Sequence, residues 1–225
     1  MTTAELTRSL MIIDDHLLIA QGLAACVADR GITEPTVVDP TVNDVLEAVE
    51  AALPDIVLLD ADFGDGLRAG ISLIGPITER RCRVIVFTGI NDKVLYGECL
   101  DRGAEMVLHK SAPLDAVANE LARACAGEEI GDDSSRFAWY RAWRDFKRTR
   151  SNDLAPFESL TPREAEVLAS LLRGHAAEEI ATRSFVSVST VRSQMRSLFT
   201  KLDVRSQLAA VAKARSVDWV PPQQT

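Results

Sequence analysis

Short apolar runs alternate with helical spacings through the first half of the chain. Leu10–Ile13, Thr36–Val38, Asp55–Leu59, Arg83–Phe87 and Glu105–Leu108 are rich in Val, Ile and Leu. That is the pattern of parallel strands buried on both faces. The segments Leu17–Arg30, Val42–Ala52, Gly70–Arg80, Asp92–Arg102 and Pro113–Ala126 instead place apolar residues at helical spacing, as Leu114, Val117, Leu121 and Ala124 do. A strand followed by a helix, five times over, predicts a doubly wound α/β domain of (βα)5 order. Its site should lie at the carboxyl ends of the strands.

After Gly127 the alternation stops. Glu128–Ser135 is polar and reads as a linker. Arg136–Arg150, RFAWYRAWRDFKRTR, then sets Trp139, Trp143 and Phe146 at i, i+4 and i+7, with Phe137 and Tyr140 beside them. A helix carrying such a stripe must bury it, on its own chain or in a dimer contact. No strand-like run occurs from Thr161 onward. Pro162–Arg173, Ala176–Arg183, Ser187–Leu202 and Ser206–Arg215 read as four helices of a small all-α domain. Thr161, Pro162 and Glu164 supply an N-cap, a first-position proline and an acid in the first turn. Gly174 is a stop signal, Ser187–Thr190 offers caps for the third helix, and Pro221 onward reads as a frayed tail. The pattern divides the chain into residues 1–126, a linker over 127–156 carrying the aromatic helix, and residues 157–225.

Charge sharpens this division. The net charge of −8 argues against one large nucleic-acid binder, but it is uneven. Residues 1–125 carry −10, residues 126–150 carry +1, and residues 151–225 carry +1. An acidic first half and a near-neutral second half suggest two units with different partners. Cys26, Cys82, Cys99 and Cys125 form no C-x-x-C pair, and no His stands at zinc-ligand spacing, so reduced thiols are expected. No apolar run reaches about 18 residues, and the piece at Leu10–Ile13 is too short for a signal peptide, so no membrane span and a cytoplasmic location are expected.

The strand ends carry the first candidate chemistry. Asp14 and Asp15 follow the first strand, Asp60 ends the third, Thr88 the fourth and Lys110 the fifth. In a parallel sheet all of these lie on one edge. Crowded carboxylates repel, and a hard divalent cation such as Mg²⁺ would neutralise them. An Asp carboxylate can attack a phosphoryl group, whose oxygens then need cations around them. The bland reading is that Asp14 and Asp15 cap the first helix and Lys110 makes a surface ion pair.

The motifs MIIDDH, DIVLLD, VIVFTG and VLHKSAP resemble those of the response-regulator receiver family over about residues 8–126. The resemblance implies Asp60 as phosphoacceptor, with Asp14, Asp15, Asp60 and the backbone carbonyl of Asp62 around Mg²⁺. Thr88 would be the switch hydroxyl and Lys110 the phosphate-sensing cation. Three positions depart from the pattern. Val107 stands where many receivers have an aromatic three residues before the lysine. ADFGDGLRAG replaces the common loop after Asp60, and Gly89 replaces the usual Ala or Ser.

Leu160–Ala214 resembles the LuxR-type helix-turn-helix of the NarL/FixJ family along nearly its whole length. Ile180, Ala181, Val191 and Leu198 would pack inward, and Val186 and Val188 would surround the turn. Arg192, Ser193 and Arg196 fall on one face of the third helix, where Arg can bond guanine bidentately. They are the expected base readers. Ser189, Thr190, Lys201 and Arg205 are placed to touch phosphates. Leu208, Val211 and Ala212 are candidates for a dimer face or, equally, for simple core packing. The combination implies a two-component response regulator, not an enzyme, driven by a sensor histidine kinase and binding double-stranded DNA as a homodimer. The rival readings are a DNA-binding regulator working without phosphorylation, an autoinducer-binding regulator and a dehalogenase-like phosphatase. The acid cluster opposes the second, and Asp14-Asp15-His16 is not the D-x-D the third would need.

Overall fold

A computed structural model of the chain describes residues 8–32, 35–41, 43–64 and 68–221. Val42, the middle of the acidic loop at 65–67 and the tail at 222–225 lie outside the described residues. Two compact units are formed, Met1–Arg144 and Asp145–Thr225.

The first unit is the expected α/β domain. Its strands are β1 (Leu10–Ile13), β2 (Thr36–Val38), β3 (Ile56–Asp60), β4 (Arg83–Thr88) and β5 (Met106–His109). All pairings are parallel, in the order β2-β1-β3-β4-β5. The helices are α1 (Leu17–Ala28), α2 (Val45–Ala52), α3 (Ala69–Glu79), α4 (Lys93–Asp101) and α5 (Leu114–Cys125). The period-2 alternation of strand side chains sorts them to two cores. Met11, Ile13, Val57, Leu59, Val84 and Val86 meet α2, α3 and α4. Leu10, Ile12, Ile56, Leu58, Ile85 and Phe87 meet α1 and α5. Cys82, Cys99 and Cys125 are buried, Cys26 is half-buried, and all four are free thiols.

Helix α6 runs from Asp133 to Glu158, well beyond the 136–150 expected, and the boundary between the units falls inside it. The linker expected over 127–156 is therefore mostly helix, divided between the two units. Its start is set by Asp132, whose carboxylate accepts from Ser135 N (2.9 Å) and Ser134 Oγ (2.6 Å). Those bonds, led by the one from the Ser134 hydroxyl, hold the Asp132 carboxyl down at about 2. An N-cap was thus present inside the stretch that reads as linker.

The second unit packs α7 (Pro162–Leu172), α8 (Ala177–Arg183), α9 (Val188–Lys201) and α10 (Gln207–Ser216) around Val167, Leu168, Ile180, Val191, Leu198 and Ala210. Leu154 and Phe157 of α6 join this core, and the Phe157 ring stacks on Trp219 at 5.9 Å. Thr161 caps α7 in a capping box: Thr161 N donates to Glu164 Oε2 (2.8 Å), and Glu164 N donates to Thr161 Oγ1 (3.4 Å). Ser187 caps α9 by accepting from Thr190 N at 3.1 Å.

Candidate functional site

The parallel order brings the strand-end residues together. Asp14 follows β1, which lies beside β3 and its terminal Asp60, and β4 on the other side of β3 ends at Thr88. Lys110 follows β5, and its N–H donates to the Thr88 carbonyl at 2.7 Å. Asp14 and Asp60 are each 2% exposed and Thr88 is fully buried. The Lys110 ammonium sits between the two acids, 2.8 Å from Asp14 Oδ2 and 2.7 Å from Asp60 Oδ2. Thr88 Oγ1 accepts from Ile90 N at 3.1 Å.

Asp62 N donates to Asp60 Oδ1 (3.1 Å), and the Asp62 carboxylate is turned away to accept from Arg68 N. Gly70, in the first turn of α3, lies against Asp60, where any Cβ would overlap the Asp60 carbonyl oxygen. Only glycine allows this approach, and it fixes the end of β3.

The electrostatics follow from the crowding. Burial pushes the Asp60 carboxyl up to about 6, opposed by the Lys110 bond, reinforced by the charge of Asp14 and opposed again by the Asp62 N–H. Burial opposes the charge on Lys110, but its bonds to Asp14 and Asp60 outweigh that and raise its pKa. Among the described residues Lys110 pairs with Asp14 and Asp60, while Asp15 stands in the same cluster with His16. His16 Nδ1 lies 2.8 Å from Asp15 Oδ1 and 3.2 Å from Asp14 Oδ1. The oxygen-rich set Asp14, Asp15 and Asp60 suits a hard divalent cation and leaves it uncompensated charge to neutralise. The reading of the chain missed His16. Its signal was adjacency to the paired acids.

On the second unit, Arg192, Ser193 and Arg196 are exposed on α9, as are Ser189 and Thr190, and Arg205 is exposed between α9 and α10. Arg192 pairs with Glu178 of α8 at 3.0 Å, both side chains about three-fifths exposed. An exposed pair of this kind holds about 0–1 kcal/mol and is readily exchanged for another anion. Lys201, grouped with the phosphate-facing residues from its position on the helix, is differently placed. It is half-buried and donates to Glu164 Oε2 (2.6 Å) and Ser159 O (2.9 Å). The buried Glu164 carboxylate also accepts from Ser197 Oγ at 2.6 Å and so ties α7 to α9. The charge of Lys201 is spent inside the domain.

The comparisons agree with both halves. A family model described as "Response regulator receiver domain" matches residues 10–122. The chain belongs to the response regulators. A second model, "Bacterial regulatory proteins, luxR family", matches residues 158–214 of this response regulator. Among curated proteins it is 29% identical to a nitrate/nitrite response regulator protein homolog of Haemophilus influenzae, over 89% of this chain and 92% of that one. It is 24% identical to the response regulator protein VraR of Staphylococcus aureus, over 93% and 97%. A solved LuxR-family two-component response regulator from Aurantimonas shares the fold at 18% identity, with a TM-score of 0.50 and coverage of 60% of this chain and 96% of that one. A receiver joined to a LuxR-type DNA-binding domain makes this a transcription regulator and not an enzyme, of a kind typically controlled by phosphorylation. Receiver domains bind Mg²⁺ at their acidic pocket, and the cluster described above is one that could hold a metal ion. Among the described residues no helix is long and apolar enough to cross a membrane.

Proposed function

We propose that this regulator accepts a phosphoryl group on Asp60 from the phosphohistidine of a sensor histidine kinase, and that the modification controls DNA binding by α9. The observation that carries the reading is the bridging of Asp14 and Asp60 by Lys110 beside the buried Thr88 hydroxyl. An O–P bond forms at the Asp60 carboxylate as the N–P bond to the donor imidazole breaks. Lys110 then balances the added charge, and the Thr88 hydroxyl can turn from Ile90 N toward a phosphoryl oxygen. Asp14, Asp15, Asp60 and the Asp62 carbonyl would hold Mg²⁺, which when bound supplies positive charge to the transferring oxygens.

On DNA, Arg192, Ser193 and Arg196 read base edges, while Ser189, Thr190 and Arg205 touch phosphates. Lys201 positions α9 through Glu164 and leaves phosphate contact to the others. Leu208 is 78% exposed and Ala212, one turn on, is also exposed, which favours a homodimer contact there, whereas Val211 packs on its own core. The regulator works in the cytoplasm.

The deciding experiment is labelling of the whole chain with a small phosphodonor. Wild type should form an acid-stable, hydroxylamine-labile acyl phosphate that requires Mg²⁺, and Asp60→Asn should form none. Retained labelling in Asp60→Asn would remove the assignment.

A further inference from the structure

The first half of α6 lies on α4, and the contact is built around a glycine. The Trp139 ring meets Tyr96 edge-on at 4.9 Å. A Cβ on Gly97 would overlap the Trp139 carbonyl and come within 2.6 Å of Trp143 Cβ. Gly97 has ordinary helical geometry, so its lack of a side chain serves this approach and not a special backbone angle. Tyr140 Oη donates to the Leu100 carbonyl at 3.3 Å, and Arg136 donates to the Glu105 carbonyl. The docking is nonetheless thin. Trp139 and Trp143 are only half-buried, and Phe137 on the same helix is 71% exposed. A contact with so little apolar burial can open without unfolding the domain.

The same stretch of α4 is wired to the phosphoacceptor. Glu98, next to Gly97, is buried and paired with Arg68 and with Arg102. Arg68 N donates to the Asp62 carboxylate, and Asp62 N donates to Asp60 Oδ1. A continuous line of bonds thus runs from Asp60 through Asp62 and Arg68 to Glu98.

Resting on the reading of Asp60 as phosphoacceptor, we propose that residues 136–143 of α6 are the element that responds to phosphorylation. A phosphoryl group on Asp60 adds negative charge beside the Asp62 carboxylate and remakes the bond at Asp60 Oδ1. Asp62 then draws away from Arg68, the Arg68–Glu98 pair loosens, and α4 releases Trp139 and Trp143 from the Gly97 notch. Because α6 continues to Phe157 in the core of the DNA-reading unit, the change reaches that unit along the helix.

The chain holds three tryptophans, so Trp219→Phe leaves Trp139 and Trp143 as the reporters. Full-length protein in this background is treated with Mg²⁺ and phosphoramidate. Acrylamide quenching of tryptophan emission and the phosphorylated fraction on a phosphate-affinity gel are read from the same samples. Phosphorylation should raise the quenching constant about twofold. Gly97→Ala should show the raised value without phosphodonor, with far-UV circular dichroism confirming the fold. Arg68→Ala and Glu98→Gln should show the raised value before phosphodonor is added, and should label with no further rise. Full labelling of the Trp219→Phe protein with unchanged quenching overturns this proposal and spares the Asp60 reading. Absence of labelling overturns the Asp60 reading and the proposal with it. Neither result depends on Gly97→Ala folding.

Discussion

The pocket at Asp60 and the outer face of α9, both proposed to meet a phosphate, hold their cations in opposite ways. Lys110 is 15% exposed and already engaged by two acids, so the pocket's lysine is committed before any phosphoryl group arrives. Arg192 is 62% exposed and shares one solvated acid, and Arg196 is exposed as well. Buried charge demands a fixed partner, since an unpaired ion loses its hydration, whereas surface charge can exchange partners at little cost. The pocket therefore acts by rearranging bonds it already has, and α9 acts by making new ones.

The sharpest break of this contrast is Lys110→Met. It removes the cation between two buried acids and should destabilise the first unit by about 3–5 kcal/mol in EDTA. Saturating Mg²⁺ should restore much of that loss, because a divalent ion would take over the neutralising role. Urea melts with and without Mg²⁺ check both parts. A deficit that Mg²⁺ leaves untouched would remove the ion from the proposed site.

Glu164 breaks the contrast from the other side, since it is a buried charge within the DNA-reading unit. Burial pushes its carboxyl up, but the bonds from Lys201, Ser197 and Thr161 outweigh that and hold it at about 2, against 4.5 for an ordinary glutamate. A folded-state pKa below the unfolded one gives stability above about pH 4.5 that is lost as pH falls toward 2. The contribution is on the order of 2–3 kcal/mol at pH 7. Glu164→Gln should unfold more easily than wild type by that amount at pH 7, and the gap should narrow steadily below pH 4. A gap independent of pH would mean that the bonds work equally well to a neutral side chain.

How much of this was legible beforehand depended on whether a residue's role follows from its position along one element. Asp14, Asp60, Thr88 and Lys110 could be read because parallel strands bring their ends to one edge, whatever the packing. Ile180, Val191 and Leu198 could be read because helical period alone turns them inward. The pairing of Lys201 could not be read because its partner Glu164 lies 37 residues away, and a lysine's sequence neighbours say nothing of a distant buried acid. Gly70 and Gly97 stood in plain view, but the backbone each admits belongs to another element. The extent of α6 was missed although Asp132 and the two serines after Asp133 form a helix start, because polar composition was read as linker.

Arg196→Ala tests the exposed side of the contrast. Loss of a bidentate base contact should cost about 1–3 kcal/mol of specific affinity, roughly 5–150-fold, while thermal stability stays within about 0.5 kcal/mol of wild type. Arg205→Ala should instead weaken binding to all sequences and flatten the salt dependence by about one ion. Titrations on matched and scrambled operators at two salt concentrations separate the two residues. If Arg196→Ala weakened both sequences equally, it would join Arg205 as a phosphate contact.

The smallest effect expected comes from Ser187, where the two behaviours meet. Its hydroxyl caps α9 through Thr190 N and lies 2.7 Å from both Ser189 Oγ and Thr190 Oγ1. It is thus bound to the helix proposed to read DNA and to two side chains proposed to touch phosphates. Ser187→Ala should cost about 1 kcal/mol of stability through the lost cap. Ser187→Asp restores the cap and adds a negative charge near the positive end of the helix dipole, so stability should recover. The same charge would face the DNA backbone, so affinity should fall below that of the alanine variant. Stability and affinity moving in opposite directions across these two substitutions would place Ser187 on the phosphate-facing side. If affinity follows stability in both, the cap acts on DNA only by holding α9 in shape.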